Sequence, residues 1–354
     1  MSESCMAKNN IIKIDFVIPW VDGSDPEWYR LMMQTKGAFK SGQYEMAGED
    51  VNAEFRYRDL GLLRYWFRGV ERFAPWVNKV FFVTCGQKPD WINENNPKLV
   101  FVNHEDYIPH EWLPTFNSNV IELNLHRIPE LSEHFVLFND DTFLIRPVSP
   151  DLYFKNGNPV LPCALTIPRF FRNDSYGRRD FCSSAVINEH FDVEASIWDN
   201  RQKWFSLRAL GVKLALRNFL CYKLNRIIPV WHYEHLPLSH LKSTFQEVWT
   251  EYHGLMADVS KAAFRPEKGG VNHWLMACWN TAMGRFSPIK LDVRGEMRYS
   301  LSKENTLFLS HCIEHQSTPQ VCLTDVGIED IDMCLRKLGM AFEQILPDKS
   351  SFEK

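Results

Sequence analysis

The sequence predicts an α/β protein built on a mostly parallel sheet, and three observations carry that expectation. Apolar runs of strand length recur through the first half of the chain: Ile11–Val21, Lys79–Thr84, Lys98–Asn103 and Phe135–Phe138. They lack the polar alternation of a sheet with one wet face, as strands buried on both faces do. Each also ends in polar residues: Asp22, then Cys85-Gly86-Gln87, then His104-Glu105-Asp106, then Asn139-Asp140-Asp141. Parallel sheets bind ligands just beyond the carboxyl ends of their strands, so these ends are expected to share one ligand-facing edge.

Taken in order, the first run feeds Asp22-Gly23-Ser24-Asp25-Pro26-Glu27-Trp28. Gly23 permits a tight turn, Asp25 is a good helix cap, and Pro26 suits the first helical position with Glu27 behind it. Such a strand–turn–helix unit points a loop and a helix N-terminus at a phosphate. With Asp25 occupied as the cap, Asp22 is the better candidate to touch a nucleotide. Thr35–Val51, rich in Gly, Ser and charge, reads as a loop or flap. A helix is expected over Asp59–Phe73, where Leu60, Leu63, Phe67 and Val70 form one apolar face. Arg58 precedes that face and Arg64 lies off it; surface arginines are ordinarily just solvated.

Asn117 or Ser118 caps a further expected helix that carries Glu122, Leu125 and Ile128. Helix dipoles favour a Glu in the first turns regardless of function, yet from there Glu122 can reach the pocket of the following acids. Those acids, Asp140 and Asp141, end the most apolar strand. Carboxylates so placed suit Mg²⁺ or Mn²⁺, which take oxygen ligands and usually also hold substrate phosphates. Asp and Asn equally favour a solvated turn, and this segment alone leaves both readings open.

Beyond Pro150 the pattern weakens. Arg169, Arg172, Arg178 and Arg179 crowd one polar loop that either faces an anionic substrate or is merely solvated. A helical stretch is expected around Trp198–Phe219. The segment Trp231–Lys242 then holds His232, His235, His240 and Lys242. Histidine is the side chain best suited to proton transfer near neutral pH. The spacing also suggests zinc, but Pro237 breaks any ordered helical ligand face. Arg265, His273 and a helical Trp274–Thr281 follow, and Pro319–Asp325 is strand-like, again ending in an acid. The tail after Leu346 is expected to fray.

Composition bounds the function classes. The 354 residues are 45% apolar and 24% charged, those of an ordinary soluble globular protein, and the net charge of −4 offers no general attraction to nucleic acid. No apolar run approaches the ~18 residues of a membrane span. The start of the chain, Met1–Asn10, lacks the basic-then-apolar layout of a signal peptide. Nine cysteines without a C-x-x-C pair fit neither a disulfide framework nor a zinc site, and they read as reduced thiols of a cytoplasmic protein.

These residues carry a family resemblance. Asp15-Phe16-Val17-Ile18-Pro19-Trp20-Val21-Asp22-Gly23-Ser24-Asp25-Pro26-Glu27-Trp28 closely resembles the first signature region of the Stealth family. That family comprises hexose-1-phosphate transferases of bacterial capsules, related to the lysosomal-enzyme GlcNAc-1-phosphotransferase. Arg56–Phe154 resembles its second region, through Arg58-Asp59, Leu63-Arg64-Tyr65, Ala74-Pro75-Trp76-Val77, Leu113-Pro114-Thr115-Phe116-Asn117-Ser118 and Phe138-Asn139-Asp140-Asp141. His235-Leu236-Pro237 with Lys242 and Glu247 is similar to the third. Cys322-Leu323-Thr324-Asp325 is similar to the fourth, with Thr324 where the family usually has Asn.

The resemblance implies one catalytic domain over residues 1–354, with signature regions at about 14–28, 54–154, 231–249 and 319–327 and a more helical insertion at about 155–318. It implies a Rossmann-like fold related to GT-A glycosyltransferases. It makes Glu122, Asp141, His235 and Arg265 catalytic, and Asp140, Asp141 and Asp325 the ligands of Mg²⁺ or Mn²⁺. Asp22, Gly23, Arg58, Arg64 and Lys242 are expected to hold the nucleotide sugar. The expected reaction moves a sugar 1-phosphate from a UDP-sugar to a hydroxyl of a glycan or lipid-linked oligosaccharide, releasing UMP. The alternative is a metal-dependent glycosyltransferase that releases UDP. A catalytically dead glycan-binding module is a third reading, opposed by the intact Asp pair and His235. Family alone suggests peripheral association with capsule machinery at the inner face of the bacterial membrane.

Overall fold

A computed structural model describes residues 12–39, 54–166, 175–225, 228, 230, 231, 233, 235–266, 270–290, 297–328 and 331–354. In chain order the first elements are β1 (Ile14–Pro19), α1 (Pro26–Phe39), α2 (Leu63–Phe73), β2 (Val80–Thr84), β3 (Leu99–Asn103), α3 (Ser118–Leu123), β4 (His134–Leu137) and β5 (Thr142–Leu144). Short strands β6 (Phe154–Lys155), β7 (Asn158–Pro162) and β8 (Leu165–Thr166) follow. A mostly helical stretch comes next: α4 (Ser175–His190), α5 (Val193–Asp199), α6 (Arg201–Trp204) and α7 (Leu207–Asn225). Then come β9 (Val230–Trp231), β10 (Leu238–Leu241), α8 (Lys242–Glu251), α9 (His253–Ser260), α10 (Trp274–Ala282) and β11 (Ser287–Ile289). The chain closes with β12 (Met297–Ser300), α11 (Lys303–Glu314), β13 (Gln320–Thr324) and α12 (Ile331–Ile345).

The central sheet has the order β10-β4-β1-β2-β3, parallel except for the edge strand β10. The fold is therefore the mostly parallel α/β architecture expected. Successive side chains of a strand point to opposite faces, and here that alternation divides two cores. Val17, Phe81, Val83, Phe135 and Leu137 enter one; Phe16, Ile18, Phe82, Val136 and Phe138 enter the other. The second core is closed by α2 and α12, the first by helices of the second half of the chain.

Several boundaries differ from the sequence expectation. The helix after Arg58 begins at Leu63, not Asp59, because Gly61 takes a left-handed φ of 68° and breaks the path. Asp59 is instead drawn inward, where Trp20 Nε1 donates to it at 3.4 Å. Thr35–Phe39, expected as loop, continues α1, and the rest of that segment lies outside the described residues. The helix carrying Glu122 stops at Leu123, so Leu125 falls in a following 3₁₀ turn. The stretch Trp198–Phe219 is three helices, the last bent where Gly211 has φ 76°. The strand ending in Asp325 belongs to a second sheet, ordered β12-β13-β5.

The tail is packed, not frayed. Phe352 is buried against Phe67, and Arg68 grips Glu353 through Nε–Oε1 at 2.9 Å and Nη2–Oε2 at 3.1 Å. Truncating one partner of a buried ion pair costs about 3–5 kcal/mol, whereas replacing both with apolar residues is often neutral. Arg68→Met is accordingly expected to lower unfolding free energy by about 3 kcal/mol in urea titration. Adding Glu353→Met should restore most of it; a double variant no better than the single one would contradict this assignment.

Candidate active site

The two sheets meet at one turn. β4 ends at Leu137, the chain passes through Asn139-Asp140-Asp141, and β5 starts at Thr142 in the second sheet. Thr142 Oγ1 donates to the Asn139 carbonyl at 2.7 Å and closes the turn, while Leu323 N donates to the Asp141 carbonyl at 2.8 Å. The register Cys322↔Thr142 thereby brings the end of β13, and Asp325 beyond it, beside the Asp pair. β10 runs antiparallel to β4 with Leu238 opposite Leu137, so its leading end meets the ligand edge. That places His235 at the turn: Asn139 Nδ2 lies 2.8 Å from His235 Nε2, and Asp141 Oδ2 lies 3.6 Å from it.

A cleft of about 1520 Å³, its open mouth included, runs along this edge. It is lined by Arg58, Glu122, Asp140, Asp141, His235, Arg265 and Asp325 among the residues singled out from sequence. Asp325 accepts from Arg58 Nη1 at 3.2 Å and from Gly327 N at 2.8 Å. Glu122 and Arg265 reach the cleft through a stitched pair of loops. Phe116 N bonds the Ala263 carbonyl at 2.8 Å and Asn117 Nδ2 the Ala262 carbonyl at 3.0 Å, which sets Arg265 Nη2 2.7 Å from Ser118 Oγ.

Other expected residues lie elsewhere. Lys242 Nζ donates to the carbonyls of Ile128, Pro129 and Leu131 at 2.7, 3.1 and 3.2 Å; it fastens a loop and does not line the cleft. Arg64 stacks over Trp91 at 5.3 Å, away from the lining. Asp22 is spent on its own turn, with Oδ1 accepting from Ser24 N at 2.9 Å and Ser24 Oγ at 2.6 Å. Gly23 acts by its smallness: a Cβ there would collide with the carbonyl of Tyr57, a cleft residue, which Gly23 N bonds at 2.8 Å. Arg179 lines the cleft, whereas Arg169, Arg172 and His232 lie outside the described residues.

His235 and His240 of the expected cluster do not converge. His240 is fully buried and pairs Nε2 with His273 Nδ1 at 3.0 Å, while His235 faces the Asp pair. His273, Ser118 and Asn139 also line the cleft, and Cys322 sits beside Asp141; in the sequence Ser118 stands out as a helix cap and Asn139 by its place at a strand end. Cys322 Sγ, 3.5 Å from Asp141 Oδ2, reads as an ordinary strand residue until β13 is paired with β5.

Electrostatically the floor is overloaded with carboxylates. Burial first, then the charges of Asp141 and Asp59, push the Asp140 carboxyl up to about 8. Burial likewise lifts Glu122 to about 7 against the opposing pull of Arg265. Burial holds His273 neutral, well below the usual imidazole range, with Nε2 3.8 Å from Glu122 Oε2. This crowding of negative charge fits a divalent cation, which would relieve it. Asp141 Oδ2, His235 Nε2 and Cys322 Sγ lie within 4.8 Å of one another, and the Asp140 and Asp325 carboxylates share the same cleft.

Residues 13–39 match the model of Stealth conserved region 1, and residues 56–160 that of Stealth conserved region 2. The chain is 38% identical over 352 residues to the capsular polysaccharide phosphotransferase WcwK of Streptococcus pneumoniae, covering 96% of this chain and 99% of that one. It is 37% identical over 346 residues to the receptor polysaccharide phosphotransferase WefC of Streptococcus oralis, covering 96% and 99%. A solved galactosyltransferase, LgtC, superposes on 92% of this chain and 95% of its own at 9% identity and a TM-score of 0.36, a distant likeness. With relatives matched from end to end and both conserved regions present, the chain belongs to the Stealth family.

Proposed function

We propose that this protein is a hexose-1-phosphate transferase of capsular or exopolysaccharide synthesis. It moves a sugar 1-phosphate from a UDP-sugar onto a hydroxyl of a glycan or lipid-linked oligosaccharide, at the cytoplasmic face of a bacterial membrane. The observation that carries the reading is the meeting, in one cleft, of the Asp140, Asp141 and Asp325 carboxylates with the Arg58, Arg179 and Arg265 guanidiniums and the His235 imidazole. Relatives matched over nearly their whole length and named polysaccharide phosphotransferases support it.

Phosphoryl transfer is largely positioning and charge neutralisation. His235 takes the proton of the acceptor hydroxyl, which attacks the phosphorus bonded to the sugar; the bond from that phosphorus to the bridging oxygen breaks, and UMP leaves with that oxygen. Asp141, 3.6 Å from His235 Nε2, stabilises the imidazolium so formed, and Asn139 fixes the ring. Arg265 and Arg179 offset charge on the phosphoryl oxygens. Glu122 and Ser118 hold Arg265 in place, Ser118 by accepting from its guanidinium at 2.7 Å. Neutralisation of the diphosphate is what a divalent cation, Mg²⁺ or Mn²⁺, supplies when bound by Asp141 with Asp140 and Asp325. Arg58, tied to Asp325, flanks the same end of the cleft.

The test follows from which bond breaks. Incubation with a panel of UDP-sugars and a glycan acceptor is expected to release UMP in step with a ³¹P phosphodiester signal in the product. Stoichiometric UDP with a phosphate-free glycan would overturn the reading in favour of a glycosyltransferase.

A further inference from the structure

Helix α7 is apolar on both sides of its axis. Leu210, Leu214, Ala215, Cys221 and Tyr222 are buried, and the helix packs on β8, β11 and α6. Past the bend at Gly211 its other side faces solvent with Val212 70% exposed, Leu216 54%, Leu220 48% and Leu224 79%. These positions recur every fourth residue and form one continuous stripe. Trp198 and Leu207 are exposed beside it. Soluble helices turn polar residues outward, so a helix whose outward side carries such a stripe lacks a partner for it.

The charge on this helix identifies the partner. It carries Arg208, Lys213, Arg217 and Lys223 and no acidic residue, although the whole chain has a net charge of −4. Arg208, Lys213 and Lys223 form no ion pair among the described residues. A second copy of this chain fits poorly, because a two-fold contact would set the same cations against one another. An anionic bilayer fits: headgroups meet the cations while the apolar stripe enters the acyl boundary. Trp198, stacked on Tyr222 with centroids 6.4 Å apart, is the amphipathic ring favoured at that depth. Among the described residues no helix is long and apolar enough to cross a membrane, so α7 lies along the surface.

We propose that the outward stripe of α7, with its basic residues and Trp198, is a docking surface for an anionic lipid bilayer. This inference stands independently of the phosphotransfer reading, because it is read by sedimentation and not by turnover. The full chain is spun with vesicles of phosphatidylcholine alone and with vesicles that also contain phosphatidylglycerol. Binding to the mixed vesicles, lost at high salt, is expected. Each basic residue near such a surface is worth about 1 kcal/mol, about fivefold, so the Lys213→Glu, Lys223→Glu pair should weaken partition by about 25-fold or more. The Leu216→Ser, Leu220→Ser pair should weaken it on the order of tenfold. Both pairs lie on the exposed side and should melt like wild type. Equal sedimentation of wild type and both variants, or no binding of wild type to anionic vesicles, would overturn the proposal. So would a solution dimer that the leucine pair dissociates, which would assign the stripe to a second copy.

Discussion

Asp141→Asn is expected to reduce turnover on the order of 10³-fold or more while leaving a folded protein. Its carboxylate lies between two other groups of the site, 3.6 Å from His235 Nε2 and 3.5 Å from Cys322 Sγ. Its own backbone carbonyl is tied to Leu323. The amide keeps that shape and removes the charge, so the substitution tests electrostatics and not packing. Loss of the neighbouring charge should also let Asp140 ionise more easily, since Asp141 is one of the causes that raise its carboxyl. The measurement is UMP release over titrations of Mg²⁺ and Mn²⁺. Near-normal rates at any point of either titration would remove Asp141 from the proposed metal role.

Glu122→Gln is expected to move activity and stability in opposite directions. The carboxyl titrates near 7 in the fold against an ordinary 4.5, and burial is the main cause. Between those values the native state keeps a proton that the unfolded chain has lost. Stability therefore falls as pH rises through this window and stays low above it. The neutral amide carries no such penalty. At pH 8, with chelator present, the variant should be more stable than wild type by on the order of 3 kcal/mol, and at pH 4 the two should converge. Turnover should drop about 10²-fold, because the negative charge that offsets Arg265 in the cleft is gone. Urea midpoints at both pH values decide the matter: an unchanged difference from pH 4 to pH 8 would show that Glu122 is not buried as a strained acid.

What could be read from sequence was what local pattern encodes. Four apolar runs ending in polar residues mark strands, direction and the ligand edge, so the place of Asp140 and Asp141 at that edge was legible without any fold in hand, while pattern alone left a solvated turn equally open. Helix starts were less so, because Gly61 and the inward pull of Trp20 on Asp59 are tertiary facts. Lys242 illustrates the opposite case: the family resemblance points it at the nucleotide sugar, yet its Nζ donates to three carbonyl oxygens away from the cleft. His273 and Cys322 were invisible because their significance is a neighbour far away in sequence, Glu122 for one and Asp141 for the other. The tail misled for the same reason, since the partner of Glu353 is Arg68, 285 positions earlier.

The join between Asp141 and Leu323 also bears on when the site comes into being. Arg58 and Asp325 are 267 positions apart, and β13 must slot between β12 and β5 before the last acid arrives. On a ribosome, β1 to β4 emerge well before β13 and can collapse against α2, but the cleft they border lacks one wall until β13 has been made. A nascent chain therefore has no complete catalytic centre. Competence waits for β13, after the helical middle and the stripe of α7 have already emerged.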